Sequence, residues 1–178
     1  RILNATLVGR SGELRRLQRA YTLTTQSQRR VIFVSGEAGI GKSRLAREVA
    51  QWVALTPHAT VLWGYCYEMT GSLPYQPMID ALSTHIRSCT APQLQSMLGK
   101  SAVDLAKIAP ELHAKLPSLA QPEFFGPEVE RNNLFAAVAR YFHALAAEHG
   151  LLLLLDDLQW ADTATLQLLS YLTAQSSN

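Results

Sequence analysis

The stretch with the clearest chemistry is Gly36-Glu37-Ala38-Gly39-Ile40-Gly41-Lys42-Ser43. It follows an apolar, β-branched run at 31–34 and leads into a helical pattern, so the spacing G-x-x-x-x-G-K-S indicates a phosphate-binding loop. Glycines let backbone N–H groups converge on a polyphosphate, and the N-terminus of the next helix adds partial positive charge. We expect Lys42 to contact the β- and γ-phosphates and Ser43 to bind Mg²⁺. A glycine-rich turn that binds nothing is the alternative.

A second chemical feature is the acidic pair Asp156 and Asp157, which follows the apolar run 151–155. Ligand sites of parallel sheets lie at the carboxyl ends of the strands, where the loop and this pair would meet. An apolar strand that ends in an acid is the Walker B pattern. Asp156 would hold Mg²⁺ opposite Ser43, and Asp157 would orient or deprotonate a water that attacks the γ-phosphate. An acidic loop that caps a helix is the alternative interpretation.

The elements that position these groups alternate between strands and helices, which predicts an α/β fold with a parallel sheet. We predict a single incomplete P-loop domain over residues 1–178. Its parts are an N-terminal segment and helix (1–30), the first strand, loop, helix and second strand (31–66), a helical insert (67–126), and a long helix, the Walker B strand and a last helix (127–178). We expect the strands at 31–35, 60–66 and 151–155, the last of them buried on both faces.

Apolar stripes at helical spacing predict which side chains are buried. Pro127 is expected to begin the long helix and Gly150 to end it, and Asp162 is expected to be the N-cap of the last helix. The expected buried set is Leu14, Leu17, Tyr21, Leu45, Ala46, Val49, Ala50, Val53, Met78, Ile79, Leu82, Ile86, Val129, Leu134, Phe135, Val138, Phe142, Leu145, Ala146, Leu166, Leu169 and Leu172. Core positions are also favoured for Tyr65, Cys66, Tyr67 and Trp160.

Composition limits the remaining function classes. Of the 178 residues, 48% are apolar and 17% are charged, which is typical of a globular chain. A net charge of +2 is too small to indicate nucleic-acid binding by this segment. The cysteines and histidines match no metal-ligand spacing, and there is no G-x-S-x-G nucleophile elbow. The longest apolar run is too short to span a bilayer, so we expect no membrane partner. The two cysteines lie far apart in sequence, and a reduced, cytoplasmic location is the simplest expectation for them.

Three stretches carry a family resemblance: Leu7-Val8-Gly9-Arg10 with Glu13-Leu14, the loop, and the run from Leu152 through Asp156-Asp157-Leu158-Gln159-Trp160-Ala161-Asp162. Together they resemble the ATPase module of signal-transduction ATPases, the STAND class of the AAA+-related (ASCE-type) P-loop proteins, which includes large LuxR-type transcriptional activators. Pro74-Tyr75-Gln76-Pro77 and Arg131-x-x-Leu134-Phe135 are similar to stretches of the same module.

The resemblance implies a nucleotide-dependent switch that binds ATP or ADP with Mg²⁺. ADP would hold a closed monomer, and ATP with an inducer would open it for self-association; DNA would be contacted only through an output domain absent here. Val8, Gly9 and Arg10 would line the adenine and ribose, and Lys42 and Asp157 would be catalytic. The residues expected to contact the phosphates are Glu37, Ala38, Gly39, Ile40, Gly41, Lys42, Ser43 and Arg44.

Two departures from the family pattern qualify this expectation. Asp157 is one methylene shorter than the glutamate usual at the base position, and no arginine is assignable as an arginine finger, so hydrolysis should be slow. The chain also stops at Asn178, before the strand that carries the sensor residue. We therefore expect an incomplete sheet with a gap or an exposed edge.

Two other functions remain open from the sequence. One is a P-loop kinase acting on a small molecule. It would need an acceptor site and a lid arginine set, and neither is evident between Met69 and Pro127, although the helical insert has room for one. The other is a degenerate P-loop domain that serves only protein interaction, although intact Lys42, Ser43 and Asp156 argue against degeneracy.

These expectations generate a first prediction. A protein of these 178 residues alone should bind nucleotide weakly and release phosphate far below ordinary enzyme rates, which are about 1–1000 s⁻¹. A phosphate-release assay with ATP and Mg²⁺ measures this, and turnover at ordinary rates would contradict it.

Overall fold

The computed structural model describes residues 9–24, 29–68, 73–120 and 123–174. Within them lie two strands, β1 (Thr60–Tyr65) and β2 (Leu151–Asp156). The helices are α1 (Ser11–Thr24), α2 (Lys42–Ala54), α3 (Gln76–Ser88), α4 (Ala91–Leu98), α5 (Ala102–Leu105), α6 (Glu111–Lys115), α7 (Pro127–His149) and α8 (Thr163–Ala174). Short 3₁₀ turns cover Gly99–Ser101 and Leu158–Trp160.

The sheet of the described residues consists of β1 and β2, which run parallel. Thr60 pairs with Leu151 at one end, and Tyr65 pairs with Asp156 at the other, so both strands finish at the same edge. The predicted α/β class with a parallel sheet flanked by helices is confirmed at this level. The strand expected at 60–66 is confirmed to within one residue.

Helices cover both faces of the sheet. Side chains alternate along each strand, so both faces present apolar side chains that pack against helices. Leu62, Leu153 and Leu155 contact a large apolar cluster built from α3 to α8. Val61 and Leu152 point the other way, into a smaller cluster around Tyr21, Val49 and Val53 of α1 and α2. A two-stranded sheet is marginal in water by itself, so these two clusters supply most of its stability.

The predicted helix signals are largely confirmed. α7 has Pro127 in its first turn and ends at Gly150, whose φ of 86° lies in the left-handed region that favours glycine. The predicted helical insert 67–126 contains α3, α4, α5 and α6, and Pro110 lies between the last two. Between 116 and 127 the described residues form neither helix nor strand.

The strand predicted at 31–35 is wrong. These residues are described, but no described segment pairs with them, and a strand exists only through hydrogen bonds to a neighbour. Val31, Ile32, Phe33 and Val34 are 43% to 77% exposed. The β-branched composition is a local preference, and without a packed face it did not produce a ladder.

Several burial predictions are also wrong. Periodicity shows which residues share one face of a helix, but tertiary packing decides how much of that face is covered. In α8, Leu166 is exposed, while Leu168 and Thr165 are buried. In α7, Val129 and Ala146 are exposed, whereas Tyr141 is fully buried. Tyr65, Tyr67 and Trp160 were expected in the core, and all three are exposed.

Other residues that were expected to be buried are only partly buried. The side chains of β2 are half-buried and not buried on both faces, since the described sheet gives β2 one strand neighbour. Ala46, Ala50, Ile79, Leu14, Leu17, Leu169 and Leu172 are also half-buried.

Some predicted features lie outside the described residues: Leu7 and Val8, and residues 69–72 and 121–122 of the predicted insert. Among the helices of the described part, none is both long enough and apolar enough to span a membrane.

A testable consequence follows from Gly64 on β1. A Cβ atom there would overlap the carbonyl oxygen of Pro77, a backbone atom at the start of α3 that has no freedom to rotate away. We expect Gly64→Ala to destabilise the fold by at least about 1–3 kcal/mol, measured by urea denaturation.

Gly12→Ala in α1 is the matched control, because a Cβ there meets nothing within 4 Å. It should leave stability unchanged or raise it by up to about 1 kcal/mol. Equal stabilities for the two variants would contradict the close approach of β1 to α3.

Candidate functional site

The glycine-rich loop folds as a tight turn in front of α2. Gly39 and Gly41 adopt φ values of 76° and 95°, a conformation that costs other residues strain. Gly41 is the N-cap of α2, and its carbonyl accepts the N–H of Leu45 at 3.0 Å. Leu45, Val49 and Val53 bury one face of α2, so packing holds the helix that carries the loop's last residues.

Lys42 is folded back over the loop. Its Nζ donates hydrogen bonds to the carbonyl oxygens of Gly36 at 2.9 Å and Glu37 at 2.8 Å. The ammonium is thus held by the backbone of the loop at the mouth of the cleft.

Ser43 connects the loop to the end of β2. Its Oγ donates to Oδ1 of Asp156 at 3.1 Å across 113 positions of sequence. The backbone N–H of Asp157 donates to the same oxygen at 3.1 Å. The two stretches that the sequence singled out are therefore in direct contact.

Asp157 has an unusual backbone. Its φ of 58° and ψ of 40° place it in the left-handed region, where non-glycine residues are uncommon and aspartate is among the more tolerant. One of its carboxylate oxygens, Oδ1, accepts a hydrogen bond from Nε2 of Gln159 at 3.0 Å. Sequence reasoning did not assign a role to Gln159.

A cleft of about 630 Å³ lies over the loop. Of the predicted site residues, Ala38, Gly39, Gly41, Lys42, Ser43, Arg44 and Asp157 line it. The other residues that line it are Val34, Ser35, Gly36 and Gln159. Glu37, Ile40, Gly9, Arg10 and Asp156 are described but do not line the cleft, although Asp156 contacts Ser43, which does. Val8 lies outside the described residues.

The oxygens of Ser43 and Asp156 fit a hard cation. Mg²⁺ prefers oxygen ligands and is usually held by one or two protein groups, substrate phosphates and water. In the part of the chain that the structure describes, no three His, Cys, Asp or Glu side chains converge as a metal site of their own. The donor set therefore fits a cation that arrives with a phosphate ligand.

Asp162 anchors the far end of the turn that carries Asp157 and Gln159. Its Oδ1 accepts the backbone N–H of Thr165 at 2.9 Å, and its other oxygen accepts the Thr165 hydroxyl, which confirms the N-cap role. Burial by itself would raise the pKa of this carboxyl, but hydrogen bonds from Thr165 and from the backbones of Tyr75 and Ala164 bring the pKa below its ordinary value. The carboxylate thus lies between the start of α8 and Tyr75 at the start of α3.

Cys66 lies directly after β1 at the same edge of the sheet. Its N–H donates to the carbonyl of Asp156 at 3.1 Å, and the side chain is 5% exposed, which confirms the core position expected for it. Burial raises the pKa of the thiol to about 11, and the nearby carboxylates, Asp162 and Asp157 foremost, add to the shift. The thiol therefore stays neutral.

A family model for the AAA ATPase domain matches residues 6–178. Since this match covers nearly the whole chain, the protein belongs to the AAA ATPase domain family. No curated protein and no solved structure matches the chain.

A prediction follows from the bonds of Asp162. Asp162→Ala removes an N-cap with its two bonds to Thr165, so it should lower the free energy of unfolding by about 1 kcal/mol at pH 7. Because the folded-state pKa is lowered, the charged form stabilises the fold above the ordinary pKa of 3.8, and this contribution is lost as the pH falls through the folded-state value.

Asp162→Asn is the matched control. Asparagine caps helices nearly as well as aspartate but carries no charge, so it should keep most of the stability at pH 7 and lack the acid-dependent part. Urea denaturation between pH 7 and pH 3 measures both variants. A loss for Asp162→Ala that stays constant into acid would contradict the assignment.

Proposed function

We propose that this chain is an ATP-binding and slowly ATP-hydrolysing switch module of a multidomain signalling or transcriptional regulator, in which the nucleotide state controls self-association. Membership in the AAA ATPase domain family supports nucleotide binding and hydrolysis. The observation that carries the proposal is the 3.1 Å contact of Ser43 with Asp156, beside a cleft lined by the loop and by Asp157.

The phosphates of the nucleotide would lie over the loop. Backbone N–H groups at the start of α2 and the positive end of its dipole favour an anion there. Lys42 would exchange its two neutral carbonyl acceptors, on Gly36 and Glu37, for anionic phosphate oxygens. A hydrogen bond between charged groups is stronger than one between an ammonium and a neutral carbonyl.

Ser43 and Asp156 would hold Mg²⁺ at the end of β2. When bound, the ion neutralises charge that develops on the β- and γ-phosphate oxygens. The hydrogen bond that now joins the two side chains already keeps their oxygens close together, so little rearrangement is needed.

Asp157 is the proposed base for hydrolysis. It lines the cleft beside Lys42, and its carboxylate is an acceptor for a proton of the attacking water. Its short side chain is in keeping with slow turnover, as expected of a switch.

The Asp162 carboxylate offers a connection from the site to the helices. It caps α8 at the end of the turn that begins at Asp157, and it lies close to Tyr75, whose ring contacts Phe135 of α7 edge-on. A change at Asp157 on nucleotide binding would thereby bear on α3 and α7. Control of self-association by nucleotide is proposed on this basis.

The test uses the full-length protein, with nucleotide affinity, phosphate release and oligomeric state measured with ATP, ADP and Mg²⁺. Lys42→Ala should weaken ATP binding roughly 10- to 100-fold, the equivalent of a charged hydrogen bond. Asp157→Asn should keep the affinity and lower phosphate release about 10²- to 10⁴-fold.

Lys100→Ala and Asp104→Asn are matched controls, since both residues lie away from the cleft, and they should behave as wild type. Tight binding, slow release and an ATP-dependent change of oligomeric state support the switch. Turnover that requires a second substrate would support a kinase instead. If neither Lys42→Ala nor Asp157→Asn changes nucleotide affinity, phosphate release or oligomeric state, the result would support an interaction scaffold.

A further inference from the structure

We propose that Gln159 is a positioning residue for hydrolysis, which acts by holding the carboxylate of Asp157 in the orientation that receives the proton of the attacking water. This inference rests on the proposed function of Asp157 as the base. The observation that supports it is the 3.0 Å hydrogen bond from the Gln159 amide to Asp157 Oδ1, in a cleft that both residues line.

The need for a positioning group follows from the exposure of Asp157. Its side chain is exposed to solvent, so packing does not select its rotamer. A carboxylate free to rotate spends little time in one orientation, and misplacement of a reacting group lowers the rate strongly. The Gln159 amide supplies the missing restraint.

The chemistry of the pair leaves the base competent. An ionised carboxylate has about four lone-pair sites, so one hydrogen bond from Gln159 leaves the other oxygen able to accept a proton. An amide is also neutral over the whole working pH range. It therefore orients the carboxylate without taking up the proton that the base must receive.

The side chain of Gln159 is not required to build the turn in which it lies. Backbone bonds from Trp160 N to Asp157 O, at 2.9 Å, and from Ala161 N to Leu158 O, at 3.1 Å, close the 3₁₀ turn. Gln159 is itself exposed, so its removal leaves no cavity. A structural role in stability therefore does not explain the contact, whereas a role at the cleft does.

The experiment compares Gln159→Ala and Gln159→Glu with wild type in the full-length protein, by nucleotide affinity and by kcat for phosphate release. Gln159→Ala should lower kcat roughly tenfold with affinity unchanged within about twofold, because the lost restraint acts on the chemical step alone. Gln159→Glu keeps the size but places a second carboxylate beside Asp157, and it should be at least as slow.

Two further variants decide whether the effect passes through Asp157. In an Asp157→Asn background, Gln159→Ala should add no further loss, since the group it positions is already disabled. Gln167→Ala, an exposed glutamine of α8 outside the cleft, is the control and should match wild type.

The outcomes separate this inference from the proposed function. Three outcomes would overturn the role of Gln159 and leave the proposed function intact, provided that the wild-type protein hydrolyses ATP. They are an unchanged kcat for Gln159→Ala, a loss of affinity equal to the loss of kcat, and full additivity with Asp157→Asn. A wild-type protein that binds ATP but never hydrolyses it would overturn both. A selective loss of kcat that vanishes in the Asp157→Asn background supports the inference.

Discussion

The hydrogen bond from Ser43 to Asp156 is the contact on which the site depends. It joins the first helical turn after the loop to the end of β2, two places 113 positions apart in sequence. The segment that leads into the loop has no strand partner among the described residues, so the sheet does not hold the loop directly. What holds it is α2, through the buried face that begins at Leu45, together with this polar contact and the bonds of Lys42 to the loop carbonyls. A bond between a hydroxyl and a carboxylate in a half-buried place is strengthened by its surroundings, and it presents two oxygens side by side.

The turn after β2 is the second element of the site. Its first residue, Asp157, adopts a left-handed backbone that aspartate tolerates better than most residues, and backbone strain of this kind is concentrated at functional positions. Its last residue, Asp162, caps α8 and lies close to Tyr75. Between them, Gln159 contacts Asp157. Three stretches that resemble one family, around Tyr75, Phe135 and Asp162, therefore meet at one junction, and this gives a physical reason for motif residues that do not touch the cleft.

Much of the fold was predictable from local patterns. The positions of α2, α3 and α7 follow from apolar spacing, and the ends of α7 follow from Pro127 at its first turn and Gly150 after its last, all of which act within a few residues. Burial on α8 was less predictable: the stripe through Leu166 was expected inside, but Leu168 is the buried residue. Periodicity sets which residues share a face, whereas the neighbouring helices decide which face is covered. The same reason explains why Trp160 is exposed and Tyr141 is fully buried.

The sequence by itself identified the two stretches that meet at the candidate site: the glycine spacing, Lys42 and Ser43 indicate a phosphate loop, and an apolar strand ending in two acids indicates its partner, because these signals depend on residue type and short spacing. Tertiary structure decided what those signals could not. It left residues 31–35 without a strand neighbour among the described segments, since a ladder needs a partner that composition cannot supply. It also brought Gln159 onto Asp157 and set Cys66 among carboxylates, because the position of a side chain in space depends on the turn and the strands that carry it.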